Sequence, residues 1–481
     1  MGLSLVLFYG VIAGISGFLF GYDSGVMTTT IAQEQFLQQF NPTSSMMGTI
    51  IAIMQAGGFF GCLTAGKLSD LWGRKKAIMF GCVFVVVGGV LQAAAYHTAM
   101  LIIGRFITGF GVGSLTMTVP VYQAEISPPR WRGTIVGCQQ LMLATGNAVA
   151  NWTGYGCSFV NSSFQWRMPL ALQVVPGIVL FVGSWFLPES PRWLVERDAL
   201  DAALHVVQRL NPDKQNLNSA YAEFKEIVEQ IKQEKEQSSE RSYLQIFRRK
   251  AWRKRLLLGA GIWLMLNLTG VNVINYYLTQ FFTSLGYGGR RAIFLTGVYG
   301  SVGAVTTFVV LFFVHRFHRK TPLMIANISQ TATLIVMAGL TEASELGVSG
   351  QIGGVAMIFL FFVIYCSSWG PLSWVYASEI FPTQIRSKGY SMASAVNWLV
   401  TLLFNQTGPI ALDHSGWKFY FLFVATNFIS ALVLLFLYPD DTSGKSLEAI
   451  DLLFDKHNAR HRSTPEANEV RRTSIELDVK G

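Results

Sequence analysis

Glu125-Ile-Ser-Pro-Pro-Arg-Trp-Arg132 and Glu379-Ile-Phe-Pro-Thr-Gln-Ile-Arg386 are two copies of one signal. Each runs from Glu-Ile through a proline to an arginine seven residues on, and Glu379 lies 254 residues after Glu125. Two more pairs keep nearly that interval. Arg74-Lys75 is matched by Arg319-Lys320 at 245 residues, and Pro188-Glu-Ser by Pro439-Asp-Asp at 251. Three matches at nearly one offset mean that a unit of about half of the 481 residues has been duplicated.

The residues around these signals are apolar. Hydrophobic residues make up 51% of the chain and charged ones 14%, against about 25% charged in an ordinary soluble domain. The mean hydropathy is +0.38. Such a chain has too little polar surface for water, which excludes a cytosolic enzyme and a disordered regulator. A helix needs about 20 apolar residues to cross ~30 Å of hydrocarbon. Runs of that kind lie near 6–31, 45–66, 77–96, 100–124, 133–158 and 167–187, then near 256–284, 291–314, 321–341, 351–378, 388–411 and 417–438. The reading is an all-α membrane protein with twelve transmembrane helices in two pseudo-symmetric six-helix bundles. The first run lacks a basic leader and continues into Phe20-Gly-Tyr-Asp23, so it reads as a span and not as a cleaved signal.

Positive charge fixes the expected orientation. Lys67, Arg74, Lys75 and Lys76 follow span 2, Arg130 and Arg132 follow span 4, Arg316, Arg319 and Lys320 follow span 8, and Arg386 and Lys388 follow span 10. The alternate loops hold few basic residues, apart from Arg290, Arg291 and Lys418, so both termini are expected in the cytoplasm. The sequon Asn161-Ser162-Ser163 then falls outside. The net charge of +9 is a topology signal and a contact for anionic lipid, with no nucleic-acid partner expected. Residues 1–187 and 256–438 form the two bundles. Between them, 188–255 reads as an intracellular domain of amphipathic helices, with Phe224, Ile227, Val228 and Ile231 at helical spacing. Residues 439–481 read as a mostly disordered cytoplasmic tail, polar and rich in Arg, Ser and Thr.

These motifs resemble a family. Gly66-Lys-Leu-Ser-Asp70-Leu-Trp-Gly73-Arg74-Lys75-Lys76 is similar to the loop signature of the major facilitator superfamily. Pro188-Glu-Ser-Pro-Arg-Trp-Leu194, the Arg130/Arg132-Gly133 turn and Gly370-Pro371-Leu-Ser-Trp374 resemble its sugar porters. Asn161-Ser-Ser-Phe-Gln-Trp-Arg-Met-Pro and Gly444-Lys-Ser-Leu-Glu-Ala-Ile-Asp look most like fungal sugar and polyol–proton symporters. The resemblance implies the major facilitator fold, a plasma-membrane location, protons and a small neutral polyhydroxylated substrate as partners, and a monomer.

Asp23 is the sharpest single residue. A carboxylate inside a span costs roughly 2.5–3.5 kcal/mol on insertion scales. One reading pairs it with Arg105 of span 4, where burial and a neighbouring guanidinium pull its proton affinity in opposite directions. It resembles the acidic position of the family's proton symporters. The other reading is an aspartate near the interface that snorkels or caps a broken helix, with Arg105 an ordinary end-of-span arginine.

A polyol calls for amides and indoles rather than charges. The resemblance places Gln140, Asn272, Trp374 and Asn397 on a central cavity, with Gln139, Trp398, Tyr277 and Asn267 as further candidates. Each could instead be a satisfied interhelical hydrogen bond. The family's Gln-Gln pair ahead of Thr269-Gly270-Val271-Asn272 is here Leu266-Asn267, which puts a typical hexose in doubt. Glu125 with Arg74 and Arg132, and Glu379 with Arg386, read as ion pairs that hold the cytoplasmic side closed. They read equally as topology charges. His315 stands where the family more often has an acid, which implies a weaker lock in the second half. Five cysteines without C-x-x-C spacing argue against a disulfide scaffold or zinc site, and no metal or other cofactor is expected. The absence of a Gly-x-x-x-x-Gly-Lys-Ser/Thr loop argues against ATP-driven pumping. The reading is therefore a secondary-active carrier of a monosaccharide or sugar-like polyol and not an enzyme. A facilitator without proton coupling and a non-transporting sensor are the alternatives.

Overall fold

A computed structural model describes residues 2–127, 132–210, 217–237, 243–313, 320–342, 347–381 and 385–438. All regular structure among them is helical. The first set of crossings comprises α1 (Gly2–Thr30), a short α2 (Glu34–Phe40), α3 (Ser44–Trp72), α4 (Arg74–Ala93), α5 (Thr98–Ile126), α6 (Arg132–Cys157) and the broken pair α7 (Phe164–Leu172) and α8 (Val174–Ser184). Four helices follow: α9 (Pro191–Glu196), α10 (Leu200–Leu210), α11 (Leu217–Gln237) and α12 (Tyr243–Arg248). The second set opens with one crossing in three pieces, α13 (Lys250–Leu268), α14 (Val271–Tyr276) and α15 (Leu278–Ser284). It continues with α16 (Arg290–Leu311), α17 (Lys320–Glu342), the pair α18 (Gly347–Ser367) and α19 (Trp369–Glu379), α20 (Arg386–Ser415) and α21 (Tyr420–Leu437). Twelve crossings result, each within a few residues of its expected position.

Among the described residues, nine of these segments are long and apolar enough to cross a membrane on length and composition alone. The three that fall short are α6, the α13–α15 crossing and α20. These carry amides and hydroxyls that face the interior, and a span that presents such groups to a cavity must be less apolar than one ringed by lipid. Large apolar side chains elsewhere stay exposed, among them Val83, Val87, Phe308, Ile328 and Phe436, which suits a hydrocarbon solvent.

Within the first set, α3 and α5 approach at backbone distance. A Cβ on Gly57 or Gly61 would overlap the carbonyls of Phe106 or Phe110, and one on Gly109 or Gly113 those of Met54 or Gly58. This is small-residue packing repeated every four residues on both helices. It carries Arg105 of α5 into the bundle core. In the second set the chain turns at Thr269-Gly270. Gly270 has φ +88°, and the Phe423 ring lies where its Cβ would be, so only glycine fits. The carbonyls freed at this break are not left bare: Thr426 Oγ1 donates to Leu268 O (2.7 Å) and Asn427 Nδ2 to Thr269 O (3.3 Å).

The two sets meet along several helix pairs, among them α3–α20, α6–α16, α6–α19 and α1 with α14–α15. Between α3 and α20, Ser391 Oγ donates to Cys62 O (3.0 Å). Between α6 and α16, Trp152 Nε1 donates to Ser301 Oγ (2.7 Å). Between α1 and α14–α15, Thr28 Oγ1 donates to Asn275 O (3.0 Å) and Thr279 Oγ1 to Thr28 O (3.3 Å). Helices α9–α11 form a small separate core in which Val195, Ala203 and Ile231 are buried against Leu194, Phe224, Ile227 and Val228. Those last three and Ile231 are the residues whose spacing predicted an amphipathic helix. The tail at 439–481 and His315 lie outside the described residues.

Candidate functional site

A cavity of about 90 Å³ lies between the two sets, lined from α1, α3 and α6 on one side and from α13, α14, α16, α18, α19 and α20 on the other. Gln140, Asn272, Trp374, Asn397 and Trp398 all line it. Three candidates do not. Consecutive residues on a helix point about 100° apart, so where Gln140 faces the cavity Gln139 turns toward α1, its carbonyl against Gly17. Tyr277 points toward α20 and donates to Asn405 O (2.8 Å), while Tyr276 takes the cavity side. Asn267 is buried behind the wall as a hub. Its Oδ1 accepts from Asn272 Nδ2 (2.6 Å) and Thr401 Oγ1 (2.7 Å), and its Nδ2 donates to Asn397 Oδ1 (2.7 Å). It positions three cavity residues rather than lining the cavity itself.

Sequence reading missed Gln55, Asn275, Tyr276, Trp263 and Thr401, which also line the cavity. A signal existed for two of them. Asn275 follows Asn272 by three residues and Thr401 follows Asn397 by four, so each extends a polar stripe at helical spacing.

Beside the cavity, Arg105 Nη1 lies 3.0 and 3.2 Å from the two carboxylate oxygens of Asp23. Both residues are fully buried, at 0% and 1% exposure. Arg105 also donates from Nε to Ile50 O (3.2 Å) and approaches Met54 Sδ at 3.6 Å. The snorkelling alternative for Asp23 does not hold, because its carboxylate is directed into the bundle and away from either surface. Next in sequence, Ser24 Oγ accepts from Tyr276 Oη (3.3 Å), which in turn accepts from Gln55 Nε2 (2.9 Å). The ion pair therefore abuts the contacts that join α1 to α14.

A second constellation sits at the end of the bundle that bears α9. Arg74 holds Glu125 with two bonds of 3.0 Å, reaches Ser69 O at 3.0 Å and lies 3.5 Å from Asp70. Glu189 Oε1 accepts from the backbone N–H groups of Arg74 (2.8 Å), Lys75 (3.3 Å) and Ser190 (3.0 Å), so it caps the start of α4 where the helix dipole favours an anion. Burial still pushes the Glu189 carboxyl above its ordinary value, and those N–H groups oppose the shift. Trp193 Nε1 and Arg197 Nη2 bind the Asp70 carbonyl (3.0 and 3.2 Å), and Arg197 Nη2 also the Leu71 carbonyl (3.0 Å). Helix α9 is thereby fastened to the orphan carbonyls at the end of α3. The side chains of Arg132, Glu379 and Arg386 lie outside the described residues.

Twelve crossings in two joined sets, an uncharged cavity between them and a buried ion pair at its edge define a membrane carrier. The chain belongs to the sugar (and other) transporter family, whose model matches residues 9–454, a family of transport proteins and not enzymes. It is 85% identical over 480 residues to the MFS-type transporter criB of Aspergillus cristatus, covering 100% of both chains. It is 32% identical over 494 residues to a high-affinity glucose transporter of Kluyveromyces lactis, covering 98% of this chain and 88% of the relative. Among solved structures, the proton:xylose symporter XylE bound to 6-bromo-6-deoxy-D-glucose superposes with a TM-score of 0.82. It shares 24% identity over 94% of this chain and 100% of that one, a likeness of fold.

Proposed function

We propose that this protein is a secondary-active carrier of a neutral, hydroxyl-bearing solute, a monosaccharide or sugar-like polyol in the terms of its motifs. It works by symport with a proton held at Asp23, in the plasma membrane, as a monomer with both termini in the cytoplasm. The observation that carries the reading is the Asp23–Arg105 pair, buried at the edge of a cavity lined, among the described residues, by no charged side chain. A carboxylate so placed is kept for a purpose, because insertion scales charge it roughly 2.5–3.5 kcal/mol. The proton relative among the solved structures and the glucose transporter among the sequence relatives support the same class.

In this reading the units 1–187 and 256–438 rock about the cavity, coupled through 188–255. Protonating Asp23 removes the charge that Arg105 holds. This loosens α1 and, through Ser24 and Tyr276, its contact with α14, which closes the outer end. On the cytoplasmic side Arg74–Glu125 and the α9 contacts hold the ends of α3, α4 and α5 together, with Arg132, Glu379 and Arg386 as proposed partners in the same lock. The cavity-lining Gln140, Asn272, Trp374, Asn397 and Trp398 hold the cargo.

The test is uptake by full-length protein in proteoliposomes, using a panel of labelled monosaccharides, polyols and hydroxylated ring compounds, with and without an imposed proton gradient. Symport predicts accumulation only with the gradient, and in Asp23→Asn equilibration and exchange without accumulation. Accumulation by Asp23→Asn overturns the coupling, and gradient-independent equilibration by the native chain establishes a facilitator.

A further inference from the structure

The chemistry of the cavity wall says more about its cargo than the family does. Seven of the twenty described residues that line it are aromatic, and Leu143, Ala144, Leu266 and Cys366 add further apolar surface. The aromatics pack on one another in pairs along the wall. The rings of Phe362 and Tyr365 are within 4° of parallel, Trp374 meets Trp263 edge-on at 4.9 Å, and Phe20 leans on Trp398 at 5.3 Å.

Gln140 apart, the polar liners are each partly bonded, mostly to residues behind the wall. Asn272 spends its Nδ2 on Asn267, Asn397 its Oδ1 on the same residue, and Thr401 its hydroxyl proton there too. Asn147 Oδ1 accepts from Asn151 (3.0 Å), Asn275 Oδ1 from Tyr299 (2.7 Å), and Gln55 Nε2 donates to Tyr276. A vicinal diol is matched by an amide that offers N–H and C=O side by side, and an amide already bonded at one end has fewer donors and acceptors left for it. Gln140 differs. Its Oε1 is buried with no hydrogen-bond partner, as is Nε1 of Trp263. Both border one wall, for Gln140 Nε2 lies against Gly370, and Trp374, one helical turn on, packs on Trp263.

We infer that the cavity selects a neutral cargo with a flat, largely apolar ring and its hydroxyls gathered on one edge, the edge meeting Gln140 and Trp263 and the faces meeting the aromatic wall. A fully hydroxylated hexose is then a poor ligand, because hydroxyls on every side would face Leu266, Phe362 and Trp398 unbonded. Each such unmade hydrogen bond weakens binding by about ten-fold. The inference rests on the proposed placement of cargo in this cavity and is independent of proton coupling.

The test uses the full chain in lipid nanodiscs and titration calorimetry with two probes built on a six-membered ring, D-glucose and 2,3-dihydroxybenzyl alcohol, whose three oxygens share one edge. The expected result is binding of the aromatic probe at least about ten-fold tighter than glucose. Leu266→Gln, which adds a free amide to the wall, should narrow or reverse that preference. Equal affinities, tighter binding of glucose, or no heat from either probe with a chain whose thermal melt shows it folded would overturn the inference. If Trp374→Ala leaves the aromatic probe's affinity unchanged, cargo does not sit here, and the proposed site falls with it. Accumulation by Asp23→Asn would refute coupling alone and leave this result standing.

Discussion

Removing either member of the Asp23–Arg105 pair should destabilise the protein, but with different responses to pH. The two groups are 3.0 Å apart and fully buried. Among the described residues the other hydrogen-bond contacts of the guanidinium are a carbonyl and a thioether, so no second anion among them compensates for a lost carboxylate. Breaking such a pair from one side costs about 3–5 kcal/mol. In Arg105→Met the stranded carboxylate can discard its charge by taking up a proton, so the loss should shrink as the pH falls. In Asp23→Asn the stranded guanidinium cannot release its proton, so the loss should stay near its full size at every pH. The double variant should lose much less than the sum of the singles, since neither charge is then left alone. Thermal unfolding of the full chain in detergent, followed by tryptophan fluorescence at a series of pH values, measures all three. Parallel pH responses of the two single variants, or additive losses in the double variant, would refute the reasoning.

Tyr276→Phe removes the hydroxyl that bridges Ser24 and Gln55. It should loosen the α1–α14 contact and raise several-fold the rate at which a cysteine at Thr28 reacts with an impermeant maleimide. Glu125→Gln replaces a bidentate charge-assisted pair with one neutral bond. The expected loss is about 1.5–3 kcal/mol, read as a lower melting temperature and faster trypsin cleavage among α9–α12. Gly57→Val would drive a side chain into the Phe106 carbonyl, and the expected result is loss of folded protein at expression. Burial raises the proton affinity of Glu189 in the folded chain above its unfolded value, so its contribution to stability falls as pH rises through the raised value. The difference in melting temperature between native and Glu189→Gln, scanned from about pH 4 to 7, should carry that sign.

The crossings were legible because lipid demands uninterrupted apolar length, and the duplication was legible because paired loop signals survive at one offset. Asp23 with Arg105 could be paired from sequence because a charge in a span has few places to go. Cavity facing was read less well, and the misses share a cause. Gln139 and Gln140, and Tyr276 and Tyr277, are adjacent look-alikes. Which of each faces inward depends on helix rotation, set by close approaches such as Gln139 against Gly17 and Tyr277 against α20. Asn267 shows the other limit. Its sequence position marks it as a cargo contact, yet three short bonds from neighbouring spans hold its amide behind the wall, and no local pattern records them.

The arrangement also explains why one broken helix serves several purposes. The turn at Thr269-Gly270 aims Asn272 and Asn275 at the cavity and sets Tyr276 against α1, one residue from Asp23. Under the proposed placement of cargo, the cargo and the ion pair therefore press on the same short segment, α14. A solute that fills the cavity bears on Asn272 and Tyr276, while a change of charge at Asp23 bears on Ser24 and through it on the same tyrosine. Under the proposed symport, movement of α14 requires both influences to agree, and neither requires a contact between cargo and proton. Substituting Ser24 by alanine should then weaken the link without touching the Asp23–Arg105 pair: cargo would still bind, but its affinity would respond less to pH than in the native chain. An unchanged pH response in Ser24→Ala would mean that the two sites communicate by another route.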